Sequence, residues 1–481
     1  MPLHLSSMAG IAAAVLAHSA PVAAATTNVT PILSAAQAMP AEFQADALLL
    51  VVTRQKSEQG TAWPLNRADT VATLEKVYAL GFNAAAKFPT RPVASASEDA
   101  VTRWTAAPLD RVSLQMAAAE RMVALDPARA MAMFARDEKL KAVVAQCGAS
   151  ELEDYSKIYT VAAKLLQSQA TPDAKFVEER LDRVHSATAL APVLRLAVDD
   201  RFDTTQFSNI ARWASDALHR VTGDDQAFFA TLHEVDAAVG GLRAVLAEKG
   251  VSDTALKQAY AAYLTQNLNG PRCSENAHGL PLQTQDAVVE GNRADLGLSV
   301  AAAALPPDRS DEPESVADRL GTLAANVVIA LQGDENGAGK LSGTLLSNLI
   351  NGLLNAVDAA ASLPEDAQSS VYKARVATLL EFLDYAPVGA QQTRAKNTVL
   401  ALVVGSPLYR TDRVDWFVGV KQLLRSIDGW SDRNVQLQVL AASANPVLRT
   451  YALLTKEGML DEADPIGPAN FSYGWVEPST P

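Results

Sequence analysis

The chain has 481 residues, a formal net charge of −13, 49% hydrophobic residues and only 6% aromatic ones. The negative balance, with no Lys/Arg block, argues against nucleic acid and anionic membrane surfaces as partners, since both call for a positive face. Ala and Leu, strong helix formers, dominate the apolar set, and little is left from which to build sheet. The expected fold is all-α, an array of antiparallel helical hairpins (an irregular α-solenoid or multi-helix bundle) with little or no β-sheet.

Residues 1–25 read as a cleavable signal peptide. An apolar run over residues 8–17 precedes Ala23-Ala24-Ala25, an A-x-A pattern. The run is far shorter than the roughly 20 residues of a membrane span. Its n-region carries His4 but no Lys or Arg, and no Cys follows to suggest a lipid anchor. The expected location is periplasmic or secreted, with no integral membrane segment after cleavage.

Residues 26–304 are expected to form an N-terminal helical region. Val112, Met116, Ala119 and Val123 recur at three- and four-residue steps, which is one helix face. Asp126-Pro127 reads as an N-cap followed by Pro at the first helical position. The same device recurs at Thr171-Pro172, Ser406-Pro407 and Asn445-Pro446, and Pro364 reads as a further start. Gly81, Gly223, Gly250, Gly389, Gly405 and Gly458 read as helix stops. Residues 119–135 (AERMVALDPARAMAMFA) resemble the hairpin junction of a tetratricopeptide-like repeat. The resemblance covers one junction; the W-x2-L-G-x2-Y signature is absent and no fixed period recurs, so it implies a way of packing two helices and no family.

Cys147 and Cys273 are the two cysteines of the chain. In an oxidising compartment the simplest use of such a pair is a disulfide, pinning the long loop 269–283 to the N-terminal half. Two buried thiols, or one reactive thiol, are the competing readings. There is no C-x-x-C, hence no thioredoxin-like pair or zinc knuckle.

Further along, Ile158, Val161, Leu165 and Leu166 form one stripe. Phe228, Leu232, Val235, Val239, Leu242 and Leu246 form the longest. Four histidines lie beyond the leader: His185, His219, His233 and His278. Glu178, Asp182 and His185 are spaced to share a helix face, and the Asp182-x-x-His185 pair resembles half of a di-iron motif whose second copy is missing, so the set reads as a solvated helix face. His233-Glu234 begins like H-E-x-x-H but has Ala237 where the second ligand belongs. Asp199, Asp200 and Asp203 read as an acidic flank of a helix N-terminus. No metal site and no cofactor are expected.

Residues 305–315 (LPPDRSDEPES) break the helical pattern and read as a Pro/acid-rich linker. Residues 316–464 are then a C-terminal helical region, with stripes at Leu345, Leu349, Leu353, Val357 and at Val371, Val376, Leu379, Phe382, Leu383. Residues 333–340 (GDENGAGK) lack the first Gly and the Ser/Thr of a phosphate loop and read as a polar turn. Ser370-x-x-Lys373 fits S-x-x-K without its partner motifs. Residues 406–424 concentrate Tyr409, Arg410, Arg413 and Trp416. Such a group suits an interaction surface, and equally a helix N-terminus tucked into a core. Residues 465–481 read as an extended tail.

No complete catalytic motif is present. The functional expectation is an exported, non-catalytic, all-helical binding or scaffold protein of the cell envelope with a protein partner. The alternative is a hydrolase on a helical toroid that acts on a glycan-type substrate with two loop carboxylates as acid and base.

Overall fold

The computed structural model describes residues 29–53, 65–86, 88–92, 108–137, 151–199, 201–221, 225–268, 288, 291–292, 295–298, 316–332, 343–360 and 368–460. The leader, Cys147 and Cys273, the 269–283 loop, the 305–315 linker, the 333–340 turn, Pro364 and the tail lie outside the described residues.

The chain is all-α in class. Thr30–Ala36 (α1), Ala41–Thr53 (α2) and Arg67–Gly81 (α3) come first, then the strand Thr90–Pro92 (β1). Arg111–Leu125 (α4) and Pro127–Asp137 (α5) precede a second strand, Glu151–Glu153 (β2). Ser156–Ser168 (α6), Ala174–Leu181 (α7), Ala187–Leu196 (α8), Thr204–Arg220 (α9), Asp225–Glu248 (α10) and Thr254–Leu268 (α11) follow. Beyond residue 315 come Val316–Gln332 (α12), Gly343–Ala359 (α13), Gln368–Tyr385 (α14) and Ala390–Val404 (α15). Leu408–Thr411 (α16), Arg413–Asp428 (α17), Arg433–Ala441 (α18) and Pro446–Lys456 (α19) end the described chain. Among the described residues the β-structure is one antiparallel pair, Thr90 opposite Glu153 and Pro92 opposite Glu151. Leu152 anchors that pair in the core at 1% exposure. No helix among the described residues is long and apolar enough to cross a membrane.

Local chemistry explains most helix ends. Asp126 Oδ1 accepts from Arg129 N at 3.0 Å as α5 starts at Pro127, and Asn445 accepts from Val447 N at 2.9 Å as α19 starts at Pro446. The Thr171-Pro172 start is displaced: Asp173 caps α7 through Lys175 N at 3.0 Å, a better acceptor placed closer to the apolar run. Gly389 begins α15 instead of stopping α14, because Pro387 already bars α14 from continuing. Gly250 and Gly458 take the left-handed conformation after α10 and α19.

Packing joins successive helices in α2–α5. Successive helices also pack further on, α12 with α13, α14 with α15 and α18 with α19, while others pair across intervening helices, α8 with α10, α9 with α11, α12 with α14 and α14 with α17. The long stripe from Phe228 to Leu246 is wholly buried. In α13 the buried face is Ile350, Leu353, Leu354 and Val357, while the predicted Leu345 is 56% exposed.

Two hydrophobic cores result. One gathers buried residues up to Leu298 and the other resumes at Leu320. The exceptions are Leu109, which joins the second core, and the N-terminus. α1 packs on α19, and α2 serves both cores: Ala45, Leu48, Leu49 and Val52 face the first, Phe43, Ala47, Leu50 and Val51 the second. A helix apolar all round belongs inside a protein, and α2 is buried from Glu42 to Val52. Its two acids meet cations from α17. Lys421 Nζ lies 3.0 Å from Asp46 Oδ2, and the Tyr451 hydroxyl of α19 donates to the same carboxylate. Arg413 Nε lies 2.6 Å from Glu42 Oε1.

Candidate functional site

The aromatic and arginine group of residues 406–424 is drawn inward. Trp416 is 1% exposed; its Nε1 donates to the Val403 carbonyl at 2.8 Å, and its ring packs edge-on at 6.4 Å from Phe43. Tyr409 is half-buried with its ring 4.8 Å from Trp416, and Arg413 reaches α2 through the Glu42 contact. Arg410 alone of the four is exposed, in the single turn of α16. These residues seat the N-terminus of α17 in the second core.

The acid and histidine sets disperse. Helix α7 ends at Leu181 with Asp182 as its C-cap, so His185 lies beyond the helix and shares no face with Glu178. Glu234 lies 4.0 Å from Arg195, beside an exposed His233. Asp199 grips Arg201 (Nη2 to Oδ2, 2.5 Å), while Asp203 and Gln206 form a capping box on α9. Lys373 of the S-x-x-K match pairs with Asp415 at 2.8 Å. Among the described residues no group of three His, Cys, Asp or Glu is placed to hold a metal.

A different place gathers unspent chemistry. Helix α15 buries Ala395, Val399 and Val403 at four-residue steps, so its opposite face looks outward. That face, with Arg375 of α14, lines a shallow, open groove of about 600 Å³ bordered by Ala390, Thr393, Arg394, Asn397, Thr398, Ala401 and Leu402. The turn before it is fixed by Gln392 Nε2 donating to the Ala386 carbonyl at 3.1 Å and Thr393 Oγ1 donating to the Gly389 carbonyl at 3.0 Å. On its α13 side, Arg394 Nη2 donates to Asn355 Oδ1 at 3.0 Å and to Asp358 Oδ2 at 2.5 Å, and Gln391 Nε2 donates to the Ser347 carbonyl at 3.1 Å.

Arg375 differs from Arg394. Its Nε is buried without a hydrogen-bond partner, and among the described residues no carboxylate closes an ion pair with it. Burial lowers its pKa below the ordinary guanidinium value, and the attraction of Asp358 only partly offsets this. A half-buried cation without an anion in contact is costly to keep, and such groups cluster at functional sites. Along α15 the groove grades from polar to apolar: Thr393 and Asn397 are followed by Ala401 and Leu402, with the exposed Val404 next on the same side.

Sequence reasoning missed this groove because its two arginines sit on different helices, and neither belongs to a motif or a basic run. The available signal was the α15 pattern itself, three buried apolar positions backed by polar ones. Comparison with protein-family models, with known proteins and with solved structures finds no match.

Proposed function

We propose that this protein is an exported binding protein of the cell envelope, non-catalytic, which holds a protein partner on the α15 groove. The observation that carries the reading is the groove's lining. Arg375, Arg394, Asn397, Thr393 and Thr398 supply hydrogen-bond donors beside the apolar Ala401 and Leu402, the mixture of anchor and polar rim that protein recognition uses. The glycan-hydrolase alternative calls for two carboxylates facing each other across a cleft; this groove presents two arginines there, and its neighbouring acid, Asp358, is held by Arg394. Export rests on the leader pattern of residues 1–25, and it brings the Cys147–Cys273 disulfide with it as part of the proposal.

The test places a photo-crosslinking residue at position 397 of the full chain, expressed in the cell that makes it, with position 82 as an exposed control on the first core. The reading predicts a discrete protein adduct from 397 and none from 82, recovered in the envelope or periplasmic fraction. The same preparation should give an intact mass that begins at Thr26 and is lighter than its reduced form by two hydrogens. No adduct from 397, or equal adducts from both positions, contradicts the binding site; an uncleaved cytoplasmic chain contradicts export.

A further inference from the structure

We infer that the α15 groove recognises a carboxylate on an acidic segment of its partner, received by Arg375. The inference deepens the binding proposal and rests on it. Three observations point to this chemistry. The first is charge. Arg394 is engaged by Asp358 at 2.5 Å and Asn355 at 3.0 Å, whereas Arg375 has no ion pair among the described residues and a buried Nε without an acceptor. No described residue supplies that anion, and a carboxylate from a bound segment would match the planar fork of the guanidinium with two parallel hydrogen bonds.

The second is the company Arg375 keeps. Thr393, Asn397 and Thr398 offer neutral donors along the same groove, which can hold the backbone or second oxygen of a bound segment. The third is shape. The lining residues run from Ala390 to Leu402 along α15, a rise of about 18 Å at 1.5 Å per residue. That is the length of a short peptide and more than one small anion needs. The apolar end at Ala401 and Leu402 suits an aliphatic side chain next to the acid. The chain as a whole is acidic at −13, so a local cationic groove selects acidic ligands by contact and gains nothing from long-range attraction.

The experiment uses the full mature chain and an array of immobilised dodecapeptides in matched pairs that differ only by Glu→Gln, with an aliphatic residue beside each varied position. The inference predicts that wild-type protein prefers Glu members over their Gln partners. It predicts that R375M lowers that preference about tenfold, the scale of one lost charge-assisted contact. R129M, which removes an exposed arginine on the first core, should leave the preference intact. Competition at fixed ionic strength separates the sources: sodium acetate at high concentration should weaken Glu-peptide retention, and inorganic phosphate should do no better. Circular dichroism and melting establish that R375M is folded; should it not be, the Glu/Gln comparison and the acetate arm on wild-type protein decide alone. Equal retention of Glu and Gln members, an unchanged preference in R375M, or displacement by phosphate alone overturns the inference. A crosslinked adduct at position 397 without any Glu preference removes the carboxylate claim and leaves the binding proposal standing.

Discussion

Asp110 holds the first turn of α4 from inside the protein. Its Oδ1 accepts from Ser113 N at 2.8 Å, and the residue is only 6% exposed. Burial pushes its carboxyl up to about 6, against the hydrogen bonds that pull it down. The folded chain therefore keeps a proton that the unfolded chain releases near pH 4, and stability falls as pH rises from about 4 to about 6, then levels. A carboxyl raised that far loses about 3 kcal/mol of stability across that window. Asp110→Asn retains an acceptor for the Ser113 N–H without the charge. In urea titrations the variant should match wild type near pH 4 and exceed it above pH 6; a difference independent of pH contradicts the assignment. At this scale the sequence was readable where chemistry is contiguous. Asp126-Pro127 and Asn445-Pro446 cap helices as their spacing suggested, because cap and helix start are neighbours. Asp110 and Arg375 were not readable, since the burial that perturbs them comes from other elements.

Among the elements, α2 decides how the molecule is joined. Its run from Ala45 to Val52 presents apolar atoms to both cores. Its uninterrupted apolar stretch, Ala47 to Val52, carries no periodicity, which is why the stripe pattern passed over it. Asp46 is wholly buried, held by Lys421 of α17 at 3.0 Å and by the Tyr451 hydroxyl of α19. Lys421→Met alone strands the Asp46 charge in the interior and should cost about 3–5 kcal/mol in denaturant unfolding. Adding Asp46→Leu should recover most of that loss, because the two apolar side chains then pack without a charge between them. Simply additive losses contradict the view that the pair fixes the seating of α2 more than it stabilises it. The same geometry explains residues 406–424. Their aromatic density was visible in the sequence, and the second core accounts for it: Trp416 and Tyr409 pack there, with Arg413 on Glu42.

For the whole molecule, composition was a sound guide to class and a poor one to arrangement. Ala- and Leu-rich stripes specified helices, and the helices are there. Which helix meets which depends on long-range packing that no local pattern encodes, so α14 meets α17 and α19 returns to α1 and α2. Charge behaves likewise: a net −13 gave no hint that Arg375 and Arg394 share one groove. If an acidic partner segment binds in that groove on the second core, the helices that line it must open less often when it is filled. Hydrogen exchange followed by mass spectrometry reads this on the full mature chain, with and without the best-retained Glu dodecapeptide. Exchange should slow in α14 and α15, residues 368–404, with the first-core helices α8–α11 unchanged, and should not slow in R375M. Protection centred on the first core, or equal protection of 368–404 in wild type and R375M, would contradict binding at this groove.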